Sequence, residues 1–298
     1  MKKFLLAALM VIASASSAIA YMPTPLKDVT VSANMSFDTV TGIYTYNYEI
    51  YNPPVNTNQI RHFEIDISKG QGDADLRSDG LVNGQCYDED PSNYNLARFQ
   101  MVPVGMDGPY GFVLPSTSMT IWGCGLGPNG KATWASNAES ALLSPGNSLT
   151  GPSIKSYGLP GIREGIIIPY IDYDSLPPEY EENIELTDTL RSSLVYKFTT
   201  VGPVAPPAVF SAVGFIDRII ALKHKAFLLG WIKNSGLVTS LDAKLDNAKK
   251  KLAANDIKTA KNLLAAFISE VEAQNEKGLA PEAYALLKYN AEYLLSRL

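Results

Sequence analysis

Cys86 and Cys124 are the only cysteines of this 298-residue chain, and His62 and His224 are its only histidines. That set excludes more chemistry than it offers. A serine or cysteine nucleophile calls for a histidine base with its own partner. His62 lies in the alternating stretch IRHFEIDI and could point to either face, whereas His224 sits between Lys223 and Lys225. No G-x-S-x-G, H-E-x-x-H or phosphate-binding glycine loop accompanies either of them. No catalytic residue is assigned. Metal binding through the cysteine pair is not expected, for want of histidine partners.

Carboxylates are the remaining chemistry. Asp73, Asp75 and Asp79 crowd the segment GDADLRSDG, with Asp88-Glu89-Asp90 close behind, and calcium favours clustered oxygen ligands of this kind. The spacing is not that of an EF-hand and no glutamate closes the loop, so a solvated acidic loop is expected, with calcium the one cofactor these residues could take. Glu179, Glu181, Glu182 and Glu185 follow Pro177-Pro178 and read as solvated surface. A glycosidase needs only two carboxylates placed by the fold, which sequence spacing cannot test. Aromatic residues are plentiful: Tyr44, Tyr46, Tyr48, Tyr51, Tyr94, Tyr110, Trp122 and Trp134. Aromatic faces stack on sugars, but the same residues normally fill sandwich cores.

The compartment follows from the start of the chain. Lys2 and Lys3 precede the apolar run FLLAALMVI, and small residues ending Ala18-Ile19-Ala20 follow. This is the pattern of a secretory signal, with cleavage expected to leave Tyr21 at the new terminus. The run is too short to span a bilayer. Export to a periplasmic, cell-surface or extracellular location is expected, with no transmembrane segment in the mature chain. An oxidising compartment makes Cys86 and Cys124 a disulfide pair, two separate buried thiols being the alternative.

Positioning these residues falls to two differently composed halves. Residues 21–200 carry 21 acidic and 10 basic residues, whereas 201–298 carry 9 and 13. Gly202-Pro203-Val204-Ala205-Pro206-Pro207 lies between them and cannot continue a helix or a central strand. The expected organisation is a signal peptide at 1–20, a β domain at 21–201, a proline-rich linker at 202–212 and a helical bundle at 213–298. In the first half, 29–35, 43–51 and 60–67 alternate as half-buried strands do, with later strands expected at 119–122, 131–135, 166–173 and 194–200. Short strands between Gly/Pro turns point to an antiparallel, immunoglobulin-like sandwich. The dense turn chemistry of 145–151 and 157–163 is expected to form loops, either connecting segments or the lining of a ligand site.

In the second half, Leu237, Leu241, Leu245, Ala248 and Leu252 form one stripe, and Ile257, Ala260, Leu264, Phe267 and Val271 form the next. Asp256 is placed to cap the second of these helices. Tyr284, Leu287, Ala291, Leu294 and Leu295 line a last helix opening at Pro281, and 215–232 supplies an earlier one. From Ser235-Gly236-Leu237 onward, LDAKLDNA, the Asn255-Asp256 turn, AKNLLAAFISEV and Lys277-Gly278-Leu279 together resemble the FIMAH domain, a helical module of exported bacterial and archaeal proteins. The resemblance implies an accessory module and brings no catalytic residues with it.

The expected function is therefore noncatalytic binding or adhesion outside the cytoplasm, with extracellular glycan, protein or cell-envelope material as partner. The alternatives are a carboxylate-dependent glycan-active hydrolase and a structural component of the envelope. Nucleic acid is not an expected partner at a net charge of −5 without a concentrated basic groove.

Overall fold

The computed structural model describes residues 21–67, 85–87, 122–126, 131–136, 138–180 and 183–298, with the backbone alone at 85–87 and 123–126. Among the described residues, nine strands form two antiparallel sheets. One sheet has the order β1 (Thr30–Asp38), β2 (Ile43–Asn52), β7 (Asn147–Ser156), β4 (Gln85–Tyr87). The other runs β5 (Trp122–Leu126), β6 (Lys131–Ser136), β3 (Ile60–Asp66), β8 (Leu159–Pro169), β9 (Tyr196–Val204). Four long helices follow: α2 (Ala212–Leu228), α3 (Ser235–Ala253), α4 (Ile257–Ala273) and α5 (Pro281–Arg297), while the short α1 (Ile184–Ser193) lies between β8 and β9.

The sheets face one another through aromatic rings, as alternation along the strands requires. Tyr46 and Tyr48 of β2 are buried, and Tyr48 packs on Phe63 and Trp134 of the opposite sheet with ring centroids 6.0 Å apart in both pairs. Each phenol is satisfied by backbone: Tyr46 OH donates to Gly158 O at 2.7 Å and Tyr48 OH to Val201 O at 3.0 Å. Phe198 stacks on Phe63, and its ring occupies the space above Gly165. A Cβ at 165 would stand 2.1 Å from the Phe198 ring and 2.5 Å from the Glu64 carbonyl oxygen. The ring could turn aside but the carbonyl belongs to the paired strand. Gly165→Ala is therefore expected to destabilise the protein by about 1–3 kcal/mol, read as a fall in the thermal midpoint.

Three expectations change. The stretches 145–151 and 157–163, expected to be loops, lie in β7 from Asn147 and in β8 from Leu159 onward. β7 carries a bulge: Asn47 faces Ser153 and Glu49 faces Thr150, so Gly151 and Pro152 share one place in the ladder. Gly151 takes φ 111° there, a conformation glycine adopts without strain. The strand expected to run to residue 173 stops at Pro169. Gly202, Pro203 and Val204, placed in a linker by composition, close β9 and pair with Gly161, Pro160 and Leu159. Proline is tolerated because β9 is an edge strand.

The helices obey their stripes. Leu237, Leu241, Leu245, Ala248 and Leu252 are buried, and Asn234 and Asp256 cap α3 and α4 by accepting from Gly236 and Thr259 N–H groups. α5 differs, with buried residues on two sides. It packs on α2 and α4 and also on β1, β8 and β9. Its contacts with the sandwich include polar bonds: Glu282 Oε1 accepts from Ala33 N–H at 2.9 Å, Tyr289 OH donates to Met35 O at 3.0 Å, and Asn290 Nδ2 donates to Pro160 O at 2.9 Å. One hydrophobic core runs from the sandwich into the bundle.

Candidate functional site

The residues that could have been catalytic are spread apart. His62 and Glu64 lie on the outer face of β3, with His62 Nε2 3.5 Å from Glu64 Oε2, and Lys131 of β6 reaches Glu64 Oε1 at 2.5 Å. A shallow groove of about 350 Å³ runs over this face, lined by Glu64, Asp66, Glu164, Lys131 and Lys197 among others. Burial pushes the Glu64 carboxyl upward, but His62 and Lys131 outweigh it and hold the group below its ordinary value. A glycosidase acid must stay protonated, which demands the opposite shift. The groove is an array of ion pairs and half-buried polar groups.

His224 is far along the chain, on α2, with its Nε2 3.5 Å from Asp242 Oδ1 of α3. The other oxygen of Asp242 pairs with Lys223, whose side chain is fully buried and also reaches Val238 O at 3.3 Å. This arrangement satisfies a buried cation and joins α2 to α3. Glu282, with burial pushing its carboxyl above the ordinary value, is enclosed at the α5–β1 contact. Among the described residues, no group of three His, Cys, Asp or Glu side chains could hold a metal. Asp73, Asp75 and Asp79, together with Tyr94 and Tyr110, lie outside the described residues. Glu179 and Glu185 are exposed.

The aromatic supply divides, with Tyr51 half-buried on β2. Tyr44, Tyr46, Tyr48, Trp122 and Trp134 are buried and belong to the core. A second set that alternation does not single out remains open to solvent, where the chain leaves β8 and returns to β9. Tyr173–Ser175 and Pro178–Tyr180 form single 3-10 turns and α1 follows them. Their own small core is Ile171, Leu176 and Leu194, with Tyr180 and Leu190 against it. Ser175 Oγ donates to Asp172 Oδ2 at 2.6 Å, Thr187 Oγ1 donates to Tyr180 O at 3.0 Å, and Asn183 caps α1 by accepting from Leu186 N–H at 3.0 Å. Tyr21 N–H bonds to Ser175 O at 2.9 Å, fastening residues 21–29 to the same turn.

Between these turns lies an open cleft of about 360 Å³, lined by Tyr173, Asp174, Leu176, Tyr180, Ile184 and Thr187. Tyr173 is 44% exposed and Ile184 is 79% exposed. The cleft offers two aromatic rings, an aliphatic wall, a carboxylate and a hydroxyl. That mixture suits a ligand with an apolar face and several hydroxyl groups. Among its described lining residues, no histidine accompanies the Thr187 hydroxyl.

Comparison with family models matches residues 229–296 to the FIMAH domain. The matched segment takes in α3, α4 and α5 with the turn that precedes them. α2, which completes the bundle, lies before it. Curated proteins yield no match to the chain.

Proposed function

We propose that the protein is an exported, noncatalytic binding or adhesion protein that recognises glycan or cell-envelope material through the Tyr173–Tyr180 cleft. The observation carrying this reading is the division of the aromatics. The sandwich encloses Tyr44, Tyr46 and Tyr48 of β2, while Tyr173 is left half-open beside Asp174, Tyr180 and Thr187. Sugar rings present C–H faces that stack on aromatic rings and hydroxyls that bond to carboxylate and hydroxyl groups. The signal pattern of residues 1–20, which lie outside the described residues, supports export. No helix among the described residues is long and apolar enough to cross a membrane.

The test is an array of glycans and cell-envelope polymers probed with the chain beginning at Tyr21, with and without calcium. Binding to at least one class of polymer is expected, and Tyr173→Ala should weaken it about tenfold, equivalent to about 1.4 kcal/mol. Turnover of a glycan, or binding indifferent to both Tyr173→Ala and Tyr180→Ala, would overturn the reading.

A further inference from the structure

At one end of the helical bundle, apolar side chains and unpaired lysines share a single tip. α2 finishes on Phe227 and Leu228, which are 37% and 79% exposed. The chain then reverses through Gly230 at φ 76°. Gly230 N–H bonds to Phe227 O at 3.0 Å and Trp231 N–H to Ala226 O at 2.9 Å, a helix ending that satisfies the last carbonyls. It brings Leu229 and Trp231, both half-buried, to the same end as Phe227 and Leu228. The turn is fixed rather than loose. Lys233 N–H bonds to Gly278 O and Ala280 N–H to Trp231 O, at 3.0 and 2.8 Å.

Lys225 and Lys233 are exposed on this turn, and Lys277 is exposed on the α4–α5 connection that holds it. None of the three takes part in an ion pair among the described residues. The acidic groups of the adjoining segments are Glu276, exposed beside Lys277, Asp242, already engaged by Lys223 and His224, Glu270 and Glu272, engaged by Lys244 and Lys288, and the buried Glu282. The α2 C-terminus adds roughly half a negative charge, less than the three lysines supply.

We propose that this tip docks on the surface of a phospholipid bilayer carrying anionic headgroups. Phe227 and Leu228 enter the boundary between headgroups and acyl chains, Trp231 lies at headgroup depth, and the three ammonium groups meet lipid phosphates. Charge complementarity selects the occupant. An apolar tip alone would suit many partners, but one ringed by unpaired lysines matches a surface that is apolar below and anionic above. Contact of this kind is peripheral, in keeping with the absence of a membrane-crossing helix among the described residues. It uses none of the residues of the Tyr173–Tyr180 cleft.

The chain's own fluorescence reports on the tip. Of its three tryptophans, Trp122 and Trp134 are enclosed in the sandwich, 5% and 0% exposed, leaving Trp231 to respond. The chain beginning at Tyr21 is mixed with vesicles of phosphatidylcholine alone, and of phosphatidylcholine with an equal share of phosphatidylglycerol. Sedimentation with the anionic vesicles and a blue shift of emission are expected, both weakened by salt. Leu228→Asp should abolish the shift while circular dichroism stays unchanged, since Leu228 supports no core. Replacing Lys225, Lys233 and Lys277 together by Glu should lower partitioning about 100-fold or more. Equal partitioning into both vesicle types, sedimentation without a change in emission, or binding that survives Leu228→Asp would each overturn the proposal. Tyr173→Ala should leave vesicle binding intact, so failure here is distinct from failure of the cleft reading.

Discussion

Glu282→Ala is expected to destabilise the whole protein by about 1–3 kcal/mol, in a single unfolding transition covering sandwich and bundle together. β1 is the edge of its sheet, and the N–H of Ala33 and the C=O of Met35 point away from β2. In the folded protein the first is bonded by Glu282 and the second by Tyr289. Helix α5 thus does for this edge what a further strand would do. Alanine at 282 would leave a buried amide without an acceptor, and the cost of an orphaned buried group is of that size. Glu282→Gln keeps an acceptor and removes the charge. Calorimetry should show one transition in the wild type, because the core is continuous across the contact. Two separate transitions would contradict the interlock.

The pH dependence separates the two substitutions. Burial holds the Glu282 carboxyl above its ordinary value of 4.5, outweighing the hydrogen bonds that favour its ionised form. A group with a raised folded-state pKa contributes stability that is fully present below the unfolded value and lost as pH rises through the folded one. Wild-type protein should therefore lose stability from this group as pH climbs above 4.5, and Glu282→Gln should flatten that part of the profile. Glu64 works in the opposite sense. Its lowered value contributes stability above the ordinary carboxyl value that disappears as pH falls through the folded one. Stability curves for Glu282→Gln and Glu64→Gln should consequently diverge on the acidic side. Parallel curves would show that neither carboxyl is shifted as described.

Legibility in the sequence followed periodicity. The stripes of α3 and α4 and the alternation of β1, β2 and β3 could be read because each element buries one face at constant spacing. β7 escaped notice because its bulge places Gly151-Pro152 inside the strand, where the residue types resemble those of a turn. α5 was seen from one side only. Tyr284, Leu287, Ala291, Leu294 and Leu295 announce the face toward the bundle and its margins, whereas Glu282, Tyr289 and Asn290 announce nothing. They are polar because the surface they meet is the rim of a sheet, with backbone groups to satisfy. The cleft was the least visible feature. Tyr173 and Tyr180 sit on single 3-10 turns, which have no period to detect, and only the enclosure of the sandwich tyrosines shows that these two are left outside.

Removing the proposed Cys86–Cys124 disulfide should cost about 4 kcal/mol, the value that chain entropy assigns to a loop of this length. The case rests on register and on the sheet edges. Cys86 lies across from Ile154, which in turn faces Tyr46, and both Ile154 and Tyr46 are buried between the sheets. Position 86 therefore belongs to an inward row. Cys124 lies across from Trp134, which faces Phe63, and both of these are buried, so position 124 belongs to an inward row of the other sheet. β4 and β5 are the edge strands of their respective sheets, and they adjoin one another. At the opposite side of the sandwich, β1 and β9 adjoin beneath α5. A covalent link at 86–124 would tie the two edge strands β4 and β5 together. Protein made under oxidising conditions should resist alkylation by iodoacetamide until it is reduced, and unfolding after reduction should begin at the β4–β5 side while α5 still protects the other. Cys86→Ser combined with Cys124→Ser should reproduce the loss without reductant. Two freely alkylated thiols in the oxidised native protein would rule the bond out.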